Sequence, residues 1–181
     1  MSTSKHIVVI AAAALAACAS LQPAPGKPPA FGTAASAEEI ARFDISIPPS
    51  GAGLPAGSGT AKQGAAVYAA KCLACHGEKG AGKPADALVG GIGSLATARP
   101  VRTVGSYWPY ATTLFDYVRR AMPITNPLSL SDDEVYAVSA YVLFLNGIVG
   151  EDAVMNAQTL PQVKMPNRDG FVSDWPPRAR N

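Results

Sequence analysis

The sequence is poor in features that several large classes of protein depend on. Only 15% of its 181 residues are charged, three are Cys and two are His, and the formal net charge is +2. So small a charge, without any run of Lys or Arg, argues against a nucleic-acid partner. The apolar stretch from Ile7 to Leu15 is far shorter than the roughly 20 residues of a membrane-spanning helix. No stretch alternates convincingly like a strand, so we expect a mostly α fold.

The N-terminus has the pattern of an export signal. A short positive region precedes the apolar stretch, and small residues follow it. Leu15-Ala16-Ala17-Cys18 resembles the lipobox of bacterial lipoprotein precursors, in which the Cys becomes the first mature residue and carries the lipid. The alternative is ordinary cleavage after Ala19, which would discard Cys18. We expect residues 1–18 to be a signal peptide, Cys18 to be lipidated, and the protein to be periplasmic and held to a membrane by the lipid anchor alone.

Composition divides the remaining chain into three parts. Residues 19–59 form a Pro/Gly/Ala-rich arm, which favours extended backbone and leaves room for one or two helical turns between Ser36 and Phe43. Residues 60–147 carry helical patterns and are the expected domain. Residues 148–181 are too irregular to form a domain, and we expect this tail to pack on the domain or on a partner.

Two helices are predicted in the first part of the domain. The first has four residues on one face: Ala65, Tyr68, Ala69 and Cys72. It therefore delivers Cys72 to that face. The second covers about Thr113 to Ala121, with Thr113 and Asp116 as its capping pair.

The third helix has the clearest pattern. Ser131 and Glu134 form a capping box, and the apolar residues that follow recur at helical spacing. Asn146-Gly147 supplies the stop. Together the three helices place the expected core between residues 60 and 147.

The chemistry centres on Cys72-Leu73-Ala74-Cys75-His76. Two thiols three positions apart can each add across a vinyl group of haem, and the next residue then turns its imidazole onto the iron. A structural zinc site needs about four Cys or His ligands, and with Cys18 lipidated or discarded the mature chain offers only Cys72, Cys75 and His76. A thioredoxin-like dithiol needs a βαβ setting that the helical pattern does not provide. We expect one covalent haem c.

A Met further along the chain is the expected sixth ligand, since His6 is removed with the signal peptide. Met122 follows the second helix directly and precedes Pro123, so a loop there can reach the open face of the haem. Met165 is the competing choice and Met155 a weaker third, while packing in the core is the ordinary role of any Met. A His/Met pair raises the reduction potential relative to two His ligands, and with both axial positions filled, chemistry on a substrate at the iron is not expected.

The motifs resemble those of the class I cytochrome c family over residues 60–147. The early part of that pattern is matched by Gly77, Gly80, Gly82, Leu88 and Gly90, and the late part by Met122-Pro123. The resemblance implies three to four helices around one covalent haem. The family usually has Pro two residues before that Leu, with its carbonyl bonded to the proximal imidazole. Here Asp86 occupies the position and Pro84 lies two residues earlier, which leaves the partner of His76 open.

Three further segments carry a narrower resemblance. They are Val104 to Pro123, Asp132 to Val138, and Lys164-Met165-Pro166-Asn167-Arg168-Asp169-Gly170-Phe171. They are similar to the cytochrome subunits of molybdenum sulfite or sulfur dehydrogenases, including that of the Sox thiosulfate-oxidising system. The resemblance implies an electron-accepting subunit with a molybdenum-containing partner and a downstream cytochrome or oxidase. A general periplasmic shuttle, for example for a quinoprotein, is the alternative. A haem catalyst or sensor would need an open sixth position.

An aromatic cluster lies in the first of these segments. Tyr107, Trp108 and Tyr110 could pack on the porphyrin, and Arg99 or Arg102 could pair with its propionates. An aromatic cluster beside prolines is equally often ordinary core. Tyr107 and Trp108 are the candidate haem-packing residues.

Overall fold

The computed structural model describes residues 31–172. The expected signal peptide, with the lipidation site Cys18, and the last nine residues of the tail lie outside this range. The chain divides into two compact units, the first ending at Phe43 and the second beginning at Asp44. In the first unit, helix α1 (Ala37–Phe43) forms where one or two helical turns were predicted. Its capping Ser36 accepts a hydrogen bond from the Glu39 N–H, while the Glu39 carboxylate accepts one from the Ser36 N–H.

The second unit is mostly helical, as predicted. Its elements in chain order are β1 (Ser58–Thr60), α2 (Ala61–Lys71), α3 (Leu73–His76), α4 (Val104–Tyr107), α5 (Ala111–Ala121), α6 (Asp132–Leu145) and β2 (Val154–Asn156), with single 3₁₀ turns at Glu78–Gly80 and Leu160–Gln162. Across residues 31–172, no helix is both long and apolar enough to cross a membrane.

Helices α2 and α6 pack closely because glycine stands where they meet. A Cβ on Gly64 would lie 1.9 Å from the carbonyl oxygen of Ala137, and one on Gly59 would lie 2.4 Å from the Ala137 nitrogen. A side chain at position 64 would push α2 away from α6, and one at position 59 would push β1 away from α6. This contact fixes α2, and hence the Cys-x-x-Cys-His segment that follows it, against the last long helix.

The N-terminal ends of α2 and α6 are capped by matching devices. Thr60 accepts a hydrogen bond from the Gln63 N–H and Ser131 accepts one from the Glu134 N–H, and each third residue returns a bond to the cap. The capping box at Ser131 is therefore confirmed. Helix α6 ends at Leu145, with Asn146 as its C-cap and Gly147 at φ 70°.

Helix α5 begins two residues earlier than predicted, and its predicted capping pair is wrong. The N-cap is Tyr110, which makes no side-chain cap bond. Asp116 turns instead to residues outside the first turn, because its Oδ1 accepts hydrogen bonds from the Ile47 N–H and from Arg120 Nε, both at 2.9 Å. Asp116 therefore ties Ile47, in the segment that composition assigned to the arm, to the helix that leads to Met122.

A small sheet joins the two ends of the second unit. Strands β1 and β2 are antiparallel, and Gly59 pairs with Met155. Each strand has three residues, which is too short for an alternating pattern to be visible in the sequence. Residues 44–59 and the described part of the tail belong to the same compact unit as the helices, so the boundaries that composition suggested at residues 59 and 147 fall within one folded unit.

Candidate functional site

A cavity of about 800 Å³ opens between α2, α3, α5, α6 and the loops that connect them. Its lining includes Cys72, Cys75, His76 and residues 84–88, together with Trp108 and residues 122–125 from later in the chain. Its remaining surface is mainly apolar and includes side chains from α5 and α6: Leu114, Val118, Val138 and Val142. The volume lies in the range of cavities that enclose cofactor-sized molecules.

The end of α2 brings the two Cys and the His to the cavity. Cys72 lies at the junction of α2 and α3, and the His76 N–H donates to its carbonyl at 2.9 Å. Gly77 then adopts φ 72°, where a Cβ would lie 2.5 Å from the Gly82 carbonyl oxygen. This sharp turn ends the short helix immediately after His76. Both thiols and the imidazole therefore face one cavity.

The hydrogen bond of His76 resolves the question left open by the missing Pro. His76 Nδ1 lies 2.9 Å from the carbonyl oxygen of Asp86. A carbonyl only accepts, so Nδ1 carries the proton and the lone pair of Nε2 is left for a metal ion. Asp86 stands two residues before Leu88, where the family usually has Pro. The backbone carbonyl at this position serves without that Pro.

The surroundings of the two thiols disfavour the competing chemistries. Burial, with a smaller contribution from nearby Cys75, raises the pKa of the Cys72 thiol to about 11. A redox-active dithiol needs a lowered thiol pKa. Within residues 31–172, no three His, Cys, Asp or Glu side chains form a group that could hold a metal ion by themselves. The donor set therefore suits a cofactor that brings its own equatorial ligands.

Met122 lines the same cavity as His76. It is the C-cap residue of α5, and its N–H donates to the Val118 carbonyl at 3.1 Å. The other two candidates lie elsewhere, since Met155 and Met165 are 4% and 3% exposed within the hydrophobic core and neither lines the cavity. The arrangement brings His76 together with Met122 and leaves Met165 as a packing residue.

The structure separates the two aromatic residues that were expected to pack on haem. Trp108 lines the cavity and meets the ring of Tyr117 edge-on at 5.7 Å. Tyr107 does not line it, because helix α4 ends there and its ring turns to Phe171, 5.2 Å away. Of the two Arg candidates, Arg102 lines the cavity and Arg99 does not.

Tyr68 contributes in a way that its periodicity alone did not indicate. It lines the cavity, and its hydroxyl donates to the carbonyl of Gly77 at 2.8 Å. The bond joins α2 to the turn just after His76. Val138 and Val142, one turn apart on α6, supply apolar wall that the sequence showed only as helix periodicity. No pattern in the sequence distinguished these cavity residues from ordinary core.

The chain is similar to a known protein family and to a chain of known structure. Residues 59–142 match the family described as cytochrome c oxidase, cbb3-type, subunit III. The crystal structure of the sulfane dehydrogenase SoxCD from Paracoccus pantotrophus contains a chain 43% identical in sequence, with a TM-score of 0.75, and the match covers 80% of this chain and 71% of that one. No curated protein gives a significant match.

The residues present fit the prosthetic group of that family. Two thiols at the required spacing, an imidazole with an oriented ring and a Met all line one cavity of sufficient volume. The cofactor is haem c, and the protein is an electron carrier. The likeness to SoxCD is consistent with a Sox-type cytochrome subunit, and the chain belongs to the class I cytochrome c family.

Proposed function

We propose that this chain is the electron-accepting subunit of a periplasmic molybdenum dehydrogenase that oxidises sulfite or sulfane sulfur. The observation that supports this most is the 43% identity with a chain of the sulfane dehydrogenase SoxCD, over 80% of this chain. The sulfur compound reacts at the partner. This chain passes the electrons on to another cytochrome or to an oxidase.

In this role, the protein's residues hold a one-electron centre rather than a catalytic one. Cys72 and Cys75 would attach the haem, and His76 and Met122 would bind its iron. When bound, haem c supplies a single Fe(III)/Fe(II) couple. Leu114, Val138 and Val142 give the cavity an apolar lining that would disfavour water beside the bound group. Low polarity around the iron favours the less charged, reduced state and so raises the potential.

The number of haem motifs sets the pattern of electron flow. Oxidation of sulfite with water to sulfate releases two electrons and two protons. The sequence has one Cys-x-x-Cys-His motif, so one copy of this chain accepts those electrons in two successive steps. Between the steps it must be reoxidised by the downstream acceptor. A downstream acceptor is therefore part of the proposal.

The test is reduction of the haem by the sulfur compound through the partner. The mature chain, matured with covalent haem, is mixed with its cognate molybdenum subunit, and sulfite or a sulfane compound is added while the reduced haem spectrum is followed. We expect reduction only when both the partner and the substrate are present, and co-purification of the two subunits.

Two controls define the outcome. The Met165→Leu variant keeps the cavity lining and should be reduced normally, whereas the partner alone should show no reduced haem c spectrum. A normal haem spectrum that no sulfur compound reduces through the partner would contradict the proposal. Reduction by a quinoprotein dehydrogenase instead would assign the chain to general electron shuttling.

We also propose that the protein is periplasmic and anchored by lipid at Cys18. The support is the resemblance of Leu15-Ala16-Ala17-Cys18 to a lipobox. Cys18→Ser should move the haem protein from the membrane fraction to the soluble periplasmic fraction. Retention of the variant in the membrane fraction would exclude the lipid anchor.

A further inference from the structure

We propose that Asn146, at the end of α6, is a positioning residue that sets the strength of the His76 hydrogen bond and thereby the reduction potential. The proposal rests on His76 being the axial ligand proposed above. The sequence assigned Asn146 only the role of ending a helix. Its side chain makes more bonds than that role needs.

The Asn146 amide joins two walls of the cavity. Its Nδ2 donates to the Leu88 carbonyl at 3.1 Å and to the Val142 carbonyl at 2.9 Å, and its Oδ1 accepts from the Gly90 N–H at 3.2 Å. Leu88 and Val142 both line the cavity. An ordinary C-cap satisfies only its own helix, as the bond to Val142 does. The two bonds to Leu88 and Gly90 fix a separate loop.

That loop carries the acceptor for the imidazole. The Asp86 carbonyl, which accepts from His76 Nδ1, lies two residues before Leu88. Asp86 itself is exposed, so packing of its side chain does not hold the carbonyl in place. On the other side of Asp86, the Ala85 N–H donates to the Cys75 carbonyl at 2.8 Å. The carbonyl is thus held between the Cys-x-x-Cys-His turn and Asn146.

Close packing leaves the Asn146 side chain one position. Gly105 in α4 is buried, and a Cβ there would lie 2.1 Å from Asn146 Oδ1 and 2.5 Å from its Cγ. Thr103, which caps α4, donates through its hydroxyl to the Gly90 carbonyl at 2.7 Å. The same loop is therefore held by α4 and by α6, and the absence of a side chain at position 105 makes room for the amide.

The chemical effect has a defined direction. A hydrogen bond from Nδ1–H to a carbonyl makes the imidazole a stronger donor through Nε2. Stronger donation favours Fe(III) over Fe(II) and lowers the potential. Loosening the Asp86 carbonyl should therefore raise the potential while leaving the Met side of the haem unchanged.

Four variants test this: Asn146→Asp, Asn146→Ala, Gly105→Ala and the matched control Asn167→Ala. Aspartate keeps the acceptor for Gly90 but cannot donate to Leu88. Asn167 makes one comparable bond, from Nδ2 to the Tyr107 carbonyl at 2.7 Å, away from the loop. The readouts are the redox titration, the NMR exchange rate of the His76 Nδ1 proton in the reduced protein, and the near-infrared band of Met ligation.

We expect both Asn146 variants and Gly105→Ala to speed Nδ1 proton exchange about tenfold, the effect of losing one ordinary hydrogen bond. Asn146→Ala and Gly105→Ala, which add no charge, should shift the redox equilibrium toward the reduced form by about threefold to tenfold, and tenfold corresponds to about 59 mV for one electron. Asn146→Asp tests the hydrogen bond through proton exchange alone, because its added negative charge favours Fe(III). The near-infrared band should persist. Gly105→Ala should add little in the Asn146→Ala background, which removes its two closest contacts.

A merely structural Asn146 would lower the melting temperature but leave the proton exchange and the potential at the Asn167→Ala values. That result would overturn the inference. A failure of the underlying ligand assignment looks different, because His76→Ala would then retain a normal low-spin haem spectrum. Measuring His76→Ala beside the four variants therefore distinguishes the two failures.

Discussion

The two sides of the haem cavity are built differently. On the His76 side the backbone is bonded at nearly every turn, and the bonds join residues that are not neighbours in sequence. The Gly82 N–H donates to the His76 carbonyl at 2.7 Å, and the N–H groups of Leu88 and Val89 donate to the Gly80 carbonyl at 2.8 and 3.2 Å. The His76 imidazole thus lies in a loop whose shape is held by its own backbone hydrogen bonds.

The Met122 side has fewer such restraints. After α5, the loop through residues 123–130 carries one backbone bond of its own, from the Asn126 N–H to the Pro123 carbonyl at 2.9 Å. Ile124 and Leu128 are 74% and 63% exposed. The position of Met122 is therefore set mainly by the end of α5.

The difference indicates a division of roles. A ligand held by a bonded loop stays in place in both redox states, whereas a ligand on an exposed loop is the one that can be exchanged or displaced. Segments with exposed backbone and few apolar contacts open at the lowest free energy. We therefore expect substitution of His76 to prevent formation of the holoprotein. Substitution of Met122 should leave the haem attached but change its ligand band and reduction potential.

The largest effect is expected from His76→Ala. Without the imidazole, the proximal position is empty, and we expect little or no stable haem c on heterologous maturation, measured as covalent haem per chain. Asp86→Ala is the matched control, because it removes an exposed side chain but keeps the carbonyl that accepts from His76. Normal haem content in His76→Ala would show that this side is not the essential one.

Met122→Ala should give a smaller but clear change. The haem should remain attached through Cys72 and Cys75, while the near-infrared Met band disappears, the potential falls, and the reduced protein binds carbon monoxide. The Met165→Ala variant should keep the band and instead lose about 2–5 kcal/mol of unfolding free energy, as for other buried Met residues. An unchanged band in Met122→Ala would reverse the assignment.

Asp116→Asn weakens the anchor of α5 and should cost about 1–3 kcal/mol of stability at neutral pH. Burial raises the pKa of the Asp116 carboxyl, but the hydrogen bonds from Arg120 and the Ile47 N–H outweigh burial and hold the pKa below its ordinary value of 3.8. A lowered folded pKa gives stability that is complete above 3.8 and is lost as pH falls through the lower folded value.

Denaturant titrations of the wild type and Asp116→Asn at several pH values check this prediction. The difference in unfolding free energy should be constant near neutrality and shrink in acid, as the wild-type carboxyl becomes protonated. A difference that grows in acid would contradict the linkage. Asp133 offers a control, because within residues 31–172 its carboxylate accepts one hydrogen bond from a residue distant in sequence, the Ser58 N–H at 2.7 Å.

The smallest effect is expected in the loop after Met122. Leu128 is exposed and has φ 61°, a conformation that Gly adopts more readily than Leu. Leu128→Gly relieves this strain but adds entropy to the unfolded chain, so unfolding free energy should change by less than about 1 kcal/mol. The Met band should remain. Loss of the band in this variant would show that the loop, rather than α5, positions Met122.

The sequence was most informative where spacing carries chemistry. Cys72, Cys75 and His76 were identified because the spacing of the motif is itself the requirement for attachment. Met122 was preferred to Met165 because it follows a helix and precedes Pro123, and it is the one of the two that lines the cavity. The capping box at Ser131 was readable because both partners are local in sequence.

Contacts between distant residues were not readable. Asp116 was assigned to a local cap because no pattern points to Ile47, 69 residues away. Tyr107 and Trp108 are neighbours in sequence, yet one faces Phe171 and the other the cavity, since the chain leaves α4 between them. The acceptor for His76 was left open because a backbone carbonyl has no sequence signature.

The most direct test of the account is NMR of the reduced holoprotein with methyl-labelled methionine. A methionine bound to haem iron gives a methyl signal shifted far upfield by the porphyrin ring current. We predict one such signal, lost in Met122→Leu and retained in Met165→Leu and Met155→Leu. A shifted signal that survives Met122→Leu, or its absence from the wild type, would contradict His76/Met122 ligation and the division between the two sides of the cavity.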